Sequence, residues 1–350
     1  MLTTVRKPKF ARLRDLVRDQ ILAGVYKDGQ ALPPEADLAA RHRVSRVTVR
    51  KALEALKDER IVTSFRGSGT LVTLRRDAHQ GALDVVVLTA PAYEPFFSAF
   101  FRHFEEAADR NGTIVVFTQE SPKNPMDSAD FYRRFLDKGI RDFVLWPVRG
   151  FADVELVDRL RGLGVNLVFF DHHVMTEHAD CVQLDNRHAI GALVDDLRAQ
   201  GCRRLDFIGW DDVLLSSTEE REAAFRAIAG PADQVWRVSK YGGCEAKLDA
   251  VFTRLRRDGE LPAGFVCLNA VLGAWVCERL SAWGLTHIRV GTVDEMAPSP
   301  GVAGSCLVQP LERMADRAFQ SLRDQNRLGA RWKAGRYAMK GTLRRAGEAG

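Results

Sequence analysis

Residues 44–53, VSRVTVRKAL, decide how this chain is read. Ser45 offers a hydroxyl to the free N–H groups of a following helical turn. From there Val49, Ala52, Leu53 and Leu56 share one face at about 100° per residue, and that face must be buried. Val47, Arg50, Lys51 and Glu54 then point outward, with Arg46 and Thr48 beside the first turn. Arg46 or Arg50 is placed to pair bidentately with guanine in a DNA major groove. An outward Val47 has no core to join; it meets a thymine methyl or is simply an exposed valine. Lys51, Arg41 and Arg43 suit phosphate contacts, which position a protein without reading sequence.

The neighbours narrow the choice. Residues 10–23 carry Leu13, Leu16, Val17 and Ile21 at helical spacing and stop at Gly24. After a Lys27-Asp28-Gly29 turn, Pro33-Pro34-Glu35 opens a short helix that ends near His42. Residues 61–65 and 70–73 flank Arg66-Gly67-Ser68-Gly69 as a hairpin. Its tip, one cation among small residues, suits close approach to a phosphate backbone or a minor groove, and is also compatible with a plain turn.

Charge is placed accordingly. Of the net +5, residues 1–80 hold 17 Lys/Arg against 9 Asp/Glu, whereas the remaining residues hold 34 against 37. A basic end on a nearly neutral body points to a polyanion at that end, or to a solvated basic face. The start of the chain has no apolar run behind its cations, and no stretch approaches the ~18 residues of a membrane span. The six cysteines form no CxxC pair and avoid the basic module, which suits reduced, buried thiols in a cytoplasm.

Helix, helix, N-capped basic helix and glycine hairpin, in that order, resemble the winged helix-turn-helix of the GntR family of bacterial transcription regulators. The resemblance covers about residues 8–74 and rests on Ile21-Leu22-Ala23-Gly24, Gly29 to Glu35, Asp37-Leu38-Ala39, VSRVTVRKAL and Gly67-Ser68-Gly69-Thr70. It implies DNA contacts from Ser45, Arg46, Val47, Thr48 and Arg50, with Arg66 and Gly67 of the wing in the adjacent groove. The chain departs from the family pattern at Ala36, where a basic residue is usual, and at Arg43, where glycine is usual.

Past the linker expected at 75–82, apolar runs of strand length alternate with amphipathic helices. Strands are expected at 84–89, 113–117, 142–146, 166–170, 205–208, 264–268 and 288–290. Helices are expected at 97–111, 132–137, 154–163, 188–200, 218–228, 247–257 and 272–283. This beat predicts parallel sheets flanked by helices, divided between two lobes because one core would be too large. Ligands of such sheets sit beyond the carboxyl ends of the strands. That rule selects residues 90–97, Trp146-Pro147, Asp171-His172-His173, Gly209-Trp210-Asp211, Asn269 and Asp294.

This half resembles the effector domain of LacI-type regulators, itself similar to periplasmic sugar-binding proteins. The resemblance rests on Phe169-Phe170-Asp171, Val182 to Asn186, Gly201 to Gly209, Ser217 to Phe225, Leu268-Asn269, Gly291 to Asp294 and Gln309-Pro310. It implies that Asp171, Arg221, Asn269 and Asp294 hydrogen-bond a sugar, with Phe96 or Phe97 against its apolar face. Glu94, Ala224 and Ala270 depart from the usual pattern, leaving room for another ligand or none.

Enzyme readings are weaker. Asp171-His172-His173 also suits a DHH-type metal-dependent phosphoesterase, with His178 and Asp180 as further donors, but the other aspartate motifs of those enzymes are absent. No P-loop, dinucleotide loop, HExxH or GxSxG is present.

The expectation is an α/β protein with no cofactor and no metal. A winged helix-turn-helix occupies 1–74. A two-lobed periplasmic-binding-protein-like domain occupies 83–345, with lobes at about 83–186 with 308–325 and 187–307 with 326–345. It would be a cytoplasmic homodimeric repressor that binds double-stranded operator DNA, modulated by a small ligand, a sugar or sugar derivative, between the lobes. A regulator governed by a protein partner, without a small ligand, is the alternative.

Overall fold

Leu13, Val17 and Ile21 recur one helical turn apart, and in the computed structural model they form the buried face of α1 (Lys9–Leu22). The structure describes residues 7–65, 69–74, 83–90, 97–121, 123–147, 150–151, 153–213, 215–240, 242–296 and 301–345. After α1 come α2 (Glu35–His42) and α3 (Arg46–Asp58). Val49, Ala52, Leu53 and Leu56 of α3 are all buried, as their spacing demands. Strands β1 (Val62–Phe65) and β2 (Gly69–Val72) pair antiparallel, with Val62 opposite Val72. Ala31 bridges Leu71 on the other side, so the hairpin base is tied to the helices.

The rest forms two six-stranded sheets. The first lobe contains β3 (Val85–Thr89), α4 (Phe97–Asn111), β4 (Ile114–Thr118), α5 (Ala129–Leu136), β5 (Asp142–Leu145), α6 (Val154–Gly162), β6 (Asn166–Phe170) and β7 (Asp180–Leu184). The chain then crosses through α7 (Asn186–Ala199) into the second lobe. There it builds β8 (Leu205–Trp210), α8 (Ser216–Ile228), β9 (Val235–Val238), α9 (Cys244–Arg257), β10 (Gly264–Cys267), α10 (Ala270–Ala282), β11 (Arg289–Val293) and β12 (Gly304–Val308). It returns through α11 (Leu311–Leu328) and ends in β13 (Arg336–Met339) and β14 (Thr342–Arg345).

The strand orders are β13-β7-β6-β5-β3-β4 and β14-β12-β11-β10-β8-β9. All pairings within the lobes are parallel except β12 with β14. Every residue of β6 and β8 is buried, as expected of strands covered on both faces.

The expected lobe boundary needs one correction. Residues 326–345 were expected in the second lobe, yet β13 pairs with β7 in the first, and only β14 joins the second. Asn326 also hydrogen-bonds Asp142 and Asn166 of the first lobe. The cause is tertiary: β13 is a short, half-exposed edge strand whose Tyr337 and Met339 pack on the first-lobe core, and its backbone pairs with β7 there. Strands β7, β9 and β12 and helix α11 lay outside the alternation read from sequence, because polar residues interrupt their apolar patterns. The buried face of α11, for instance, includes Ser321, Gln325 and Asn326.

The described cysteines are all unpaired in disulfide terms, five buried and Cys306 half-buried. Among the described residues no helix is long and apolar enough to cross a membrane.

Candidate functional sites: an outward basic helix and a buried polar cluster between the lobes

The α3 surface is built from its N-cap outward. Ser45 Oγ accepts from the Thr48 N–H at 3.2 Å and lies 2.9 Å from Thr48 Oγ1, so the first turn is closed by its own hydroxyls. Arg46, Val47, Arg50 and Lys51 are exposed; Val47 is 63% exposed, which agrees with its placement opposite the buried face. Arg50 is not free: its Nε donates to Glu35 Oε2 of α2 at 2.9 Å. That partner was missed from sequence because it depends on how α2 crosses α3. Arg43 caps α2 in the left-handed region at φ 52°, which explains why glycine is the usual residue there. Arg66 and Gly67 lie outside the described residues.

The second site lies at strand ends. Asp171 follows β6 and Asp294 follows β11, and both hold positive φ, 53° and 72°. Such strain in non-glycine residues collects where a ligand or a switch requires it. Arg221, on α8, is 4% exposed. Its Nε donates to Asn186 Oδ1 at 2.8 Å and its Nη1 to the Leu268 carbonyl at 3.0 Å, while Nη2 lies 3.9 Å from Asp171 Oδ1. One guanidinium therefore touches the ends of β6 and β10 and the start of α7. Gln309, just before α11, donates from Nε2 to Asp294 Oδ1 at 2.7 Å.

Three buried atoms here lack hydrogen-bond partners among the described residues: Asp171 Oδ1, Arg221 Nη2 and Gln309 Oε1. Buried polar groups are rarely left so, because each costs its full desolvation. Burial pushes the Asp171 carboxyl up to about 6, with Arg221 pulling the other way and Asp294 adding to the rise.

Other expected site residues fall differently. Asn269 is half-buried, and its Oδ1 accepts from the Leu272 N–H at 3.1 Å, capping α10. The Phe97 ring packs with Phe101 and Phe117 at centroid distances of 5.7 and 5.3 Å, which makes it part of an aromatic cluster between α4 and β4. Phe96 lies outside the described residues. Gln183, Asn186, Glu220 and Gln309 were missed as site residues. Glu220 Oε2 accepts from Gln183 and Asn186 at 2.9 and 3.0 Å, and Arg336 pairs with its other oxygen. The sequence signal lay in Gln183, Asn186 and Gln309, amides directly beside strand ends.

The DHH segment has a structural use. Ser216 donates its backbone N–H to His172 Nδ1 at 3.2 Å, and the His173 N–H donates to Ser216 Oγ at 2.7 Å. The first-lobe histidines thus hold the start of α8 in the second lobe. Burial pushes the His172 imidazole down to about 4, so it is the neutral acceptor this bond requires. Among the described residues no three His, Cys, Asp or Glu side chains gather to hold a metal.

A winged helix-turn-helix joined to a two-lobed, largely parallel α/β domain defines the architecture. Residues 10–72 match the family described as "Bacterial regulatory proteins, gntR family", so the N-terminal module is of GntR type. The mannosyl-D-glycerate transport/metabolism system repressor of Escherichia coli is 46% identical over 20% of this chain and 29% of its own length; the chain thus spans under a third of that relative. The arabinose metabolism transcriptional repressor of Geobacillus stearothermophilus is 22% identical over 80% of this chain and 79% of its own. A LacI transcriptional regulator from Rhodococcus superposes with TM-score 0.61 at 19% identity, covering 75% of this chain and 97% of that one.

Proposed function

We propose that this protein is a transcriptional repressor that binds operator DNA through α3 and the wing, and whose operator affinity is set by a sugar or sugar derivative held between the lobes. The observation that carries the ligand half is the trio of unsatisfied buried atoms. Two acceptors, on Asp171 and Gln309, need donors, and one guanidinium nitrogen, on Arg221, needs an acceptor. A run of hydroxyls supplies both, since each donates and accepts. The named relatives, repressors of mannosyl-D-glycerate and arabinose systems, support a carbohydrate.

In this reading the protein works in the cytoplasm as a homodimer and is not an enzyme. Two recognition helices would meet half-sites about 34 Å apart on a roughly palindromic operator. Ligand binding acts on DNA only through its different affinity for the two lobe arrangements. Arg46 and Arg50 read bases, Val47 meets a thymine methyl, Lys51 and Arg43 hold phosphates, and Arg66 and Gly67 enter the neighbouring groove.

The test is selection of bound DNA from a random pool, followed by calorimetry of the chain with neutral sugars and sugar phosphates. A recovered palindrome whose binding weakens or strengthens with one of the sugars is expected. A random pool that yields no preferred sequence sinks the DNA half. A preferred sequence with no response to any sugar favours control by a protein partner.

A further inference from the structure

α1 carries a polar face that reaches beyond its own module. Arg18 is only 4% exposed. Its guanidinium pairs with Asp137, at the end of α5 in the first lobe, as well as with Asp15 and Glu59 at 3.5 and 3.6 Å. One residue on, Asp19 pairs with Arg133 of α5 at 3.0 Å. At the end of α1 the Leu22 carbonyl, one of those a helix leaves unpaired, accepts from Arg159 Nε of α6 at 3.0 Å. Behind these ion pairs, buried apolar residues of the module and of the first lobe join in one cluster. The packing is close at Gly162 of α6, where an added Cβ would stand 2.5 Å from Leu74 Cβ.

We propose that this contact of α1 with α5 and α6 is a working interface. It holds the DNA-binding module on the first lobe in one orientation, and through it the state of the cleft reaches the DNA. The anchor is well placed for this, because α6 leads directly into β6, whose end is Asp171. The recognition surface stays clear, with Arg46, Val47 and Lys51 exposed while the module is docked. Fixing two modules on two lobes sets the distance between recognition helices, so a dimer gains the second half-site without searching for it. A freely tethered module would leave Arg18 and Asp137 in water and would tolerate many spacings.

This inference rests on the repressor reading for its DNA half, and the experiment separates the two. In the full-length chain, spin labels on Glu54→Cys of α3 and Ile114→Cys of β4 report the module-to-lobe distance. One narrow distance distribution is expected for the parent, and broad distributions for Asp137→Arg and for Gly162→Leu, which wedges Leu74 away. Asp19→Arg and Arg133→Asp should each broaden the distribution, and the double swap should narrow it again.

The same variants are then titrated with the selected operator and with a single half-site. Broadening should cost about tenfold in full-site affinity through lost effective concentration, with half-site affinity held within about twofold. A broad distribution in the parent overturns the docking itself. Full-site affinity unchanged by undocking overturns its role, and a parent that binds no DNA overturns that role together with the repressor reading while the distance measurement still decides the docking.

Discussion

Arg221 Nη2 and Asp171 Oδ1 face each other at 3.9 Å, too far for a hydrogen bond, and neither atom has a hydrogen-bond partner among the described residues. The two residues come from different lobes, α8 and the end of β6. They sit as a buried ion pair across the two lobes, each with hydrogen-bonding capacity left over.

Removing one member exposes the other. Arg221→Met should destabilise the protein by about 3 kcal/mol at neutral pH, since a buried carboxylate then has no counter-charge. Arg221→Met with Asp171→Asn should recover much of that loss. Urea unfolding of both variants checks this, and equal stability of single and double variants would dismiss the charge coupling.

The pH dependence has a definite sign. Burial pushes Asp142, like Asp171, up to about 6. A carboxyl whose folded value is raised favours the folded state while protonated. Its contribution is complete below the unfolded value of 3.8 and is lost as pH rises through 6. The lost stability is at most about 3 kcal/mol for each group. Unfolding midpoints at pH 5 and pH 7 should therefore favour pH 5 for these two groups, and Asp142→Asn and Asp171→Asn should each flatten the difference.

On the DNA surface, Arg50→Ala should abolish sequence preference, with about 1–3 kcal/mol of base discrimination lost. Lys51→Ala should weaken specific and random DNA alike and lower the salt slope by about 0.9. Because Glu35 holds Arg50 in the free protein, Glu35→Gln should tighten binding to both. Anisotropy titrations at two salt concentrations distinguish these outcomes; identical losses from the Arg50 and Lys51 variants would contradict the assigned roles.

Arg43→Gly should raise stability by about 1 kcal/mol, because an L-residue pays for left-handed backbone that glycine adopts freely. The same change should weaken DNA binding uniformly across sequences. Thermal unfolding beside the titrations checks both signs, and a stability loss would mean that the Arg43 side chain does more for the fold than its φ of 52° costs.

The amino-acid sequence by itself determined what repeats locally. The capped first turn at Ser45, the buried face from Val49 to Leu56, the outward Val47 and the beat of short apolar strands with helices all follow from side-chain period and backbone capping within a few residues. Tertiary structure decided what had to converge from a distance. Arg50 meets Glu35 only because α2 crosses α3. Asp171, Arg221 and Gln309 come together only once the crossovers bring the ends of the two sheets together, and the same closure makes His172 the acceptor for α8. Arg18 meets Asp137 across 119 residues of chain. Such pairings depend on loop closure and on which faces remain after each local core has formed, and no periodicity in α1 or α5 records them.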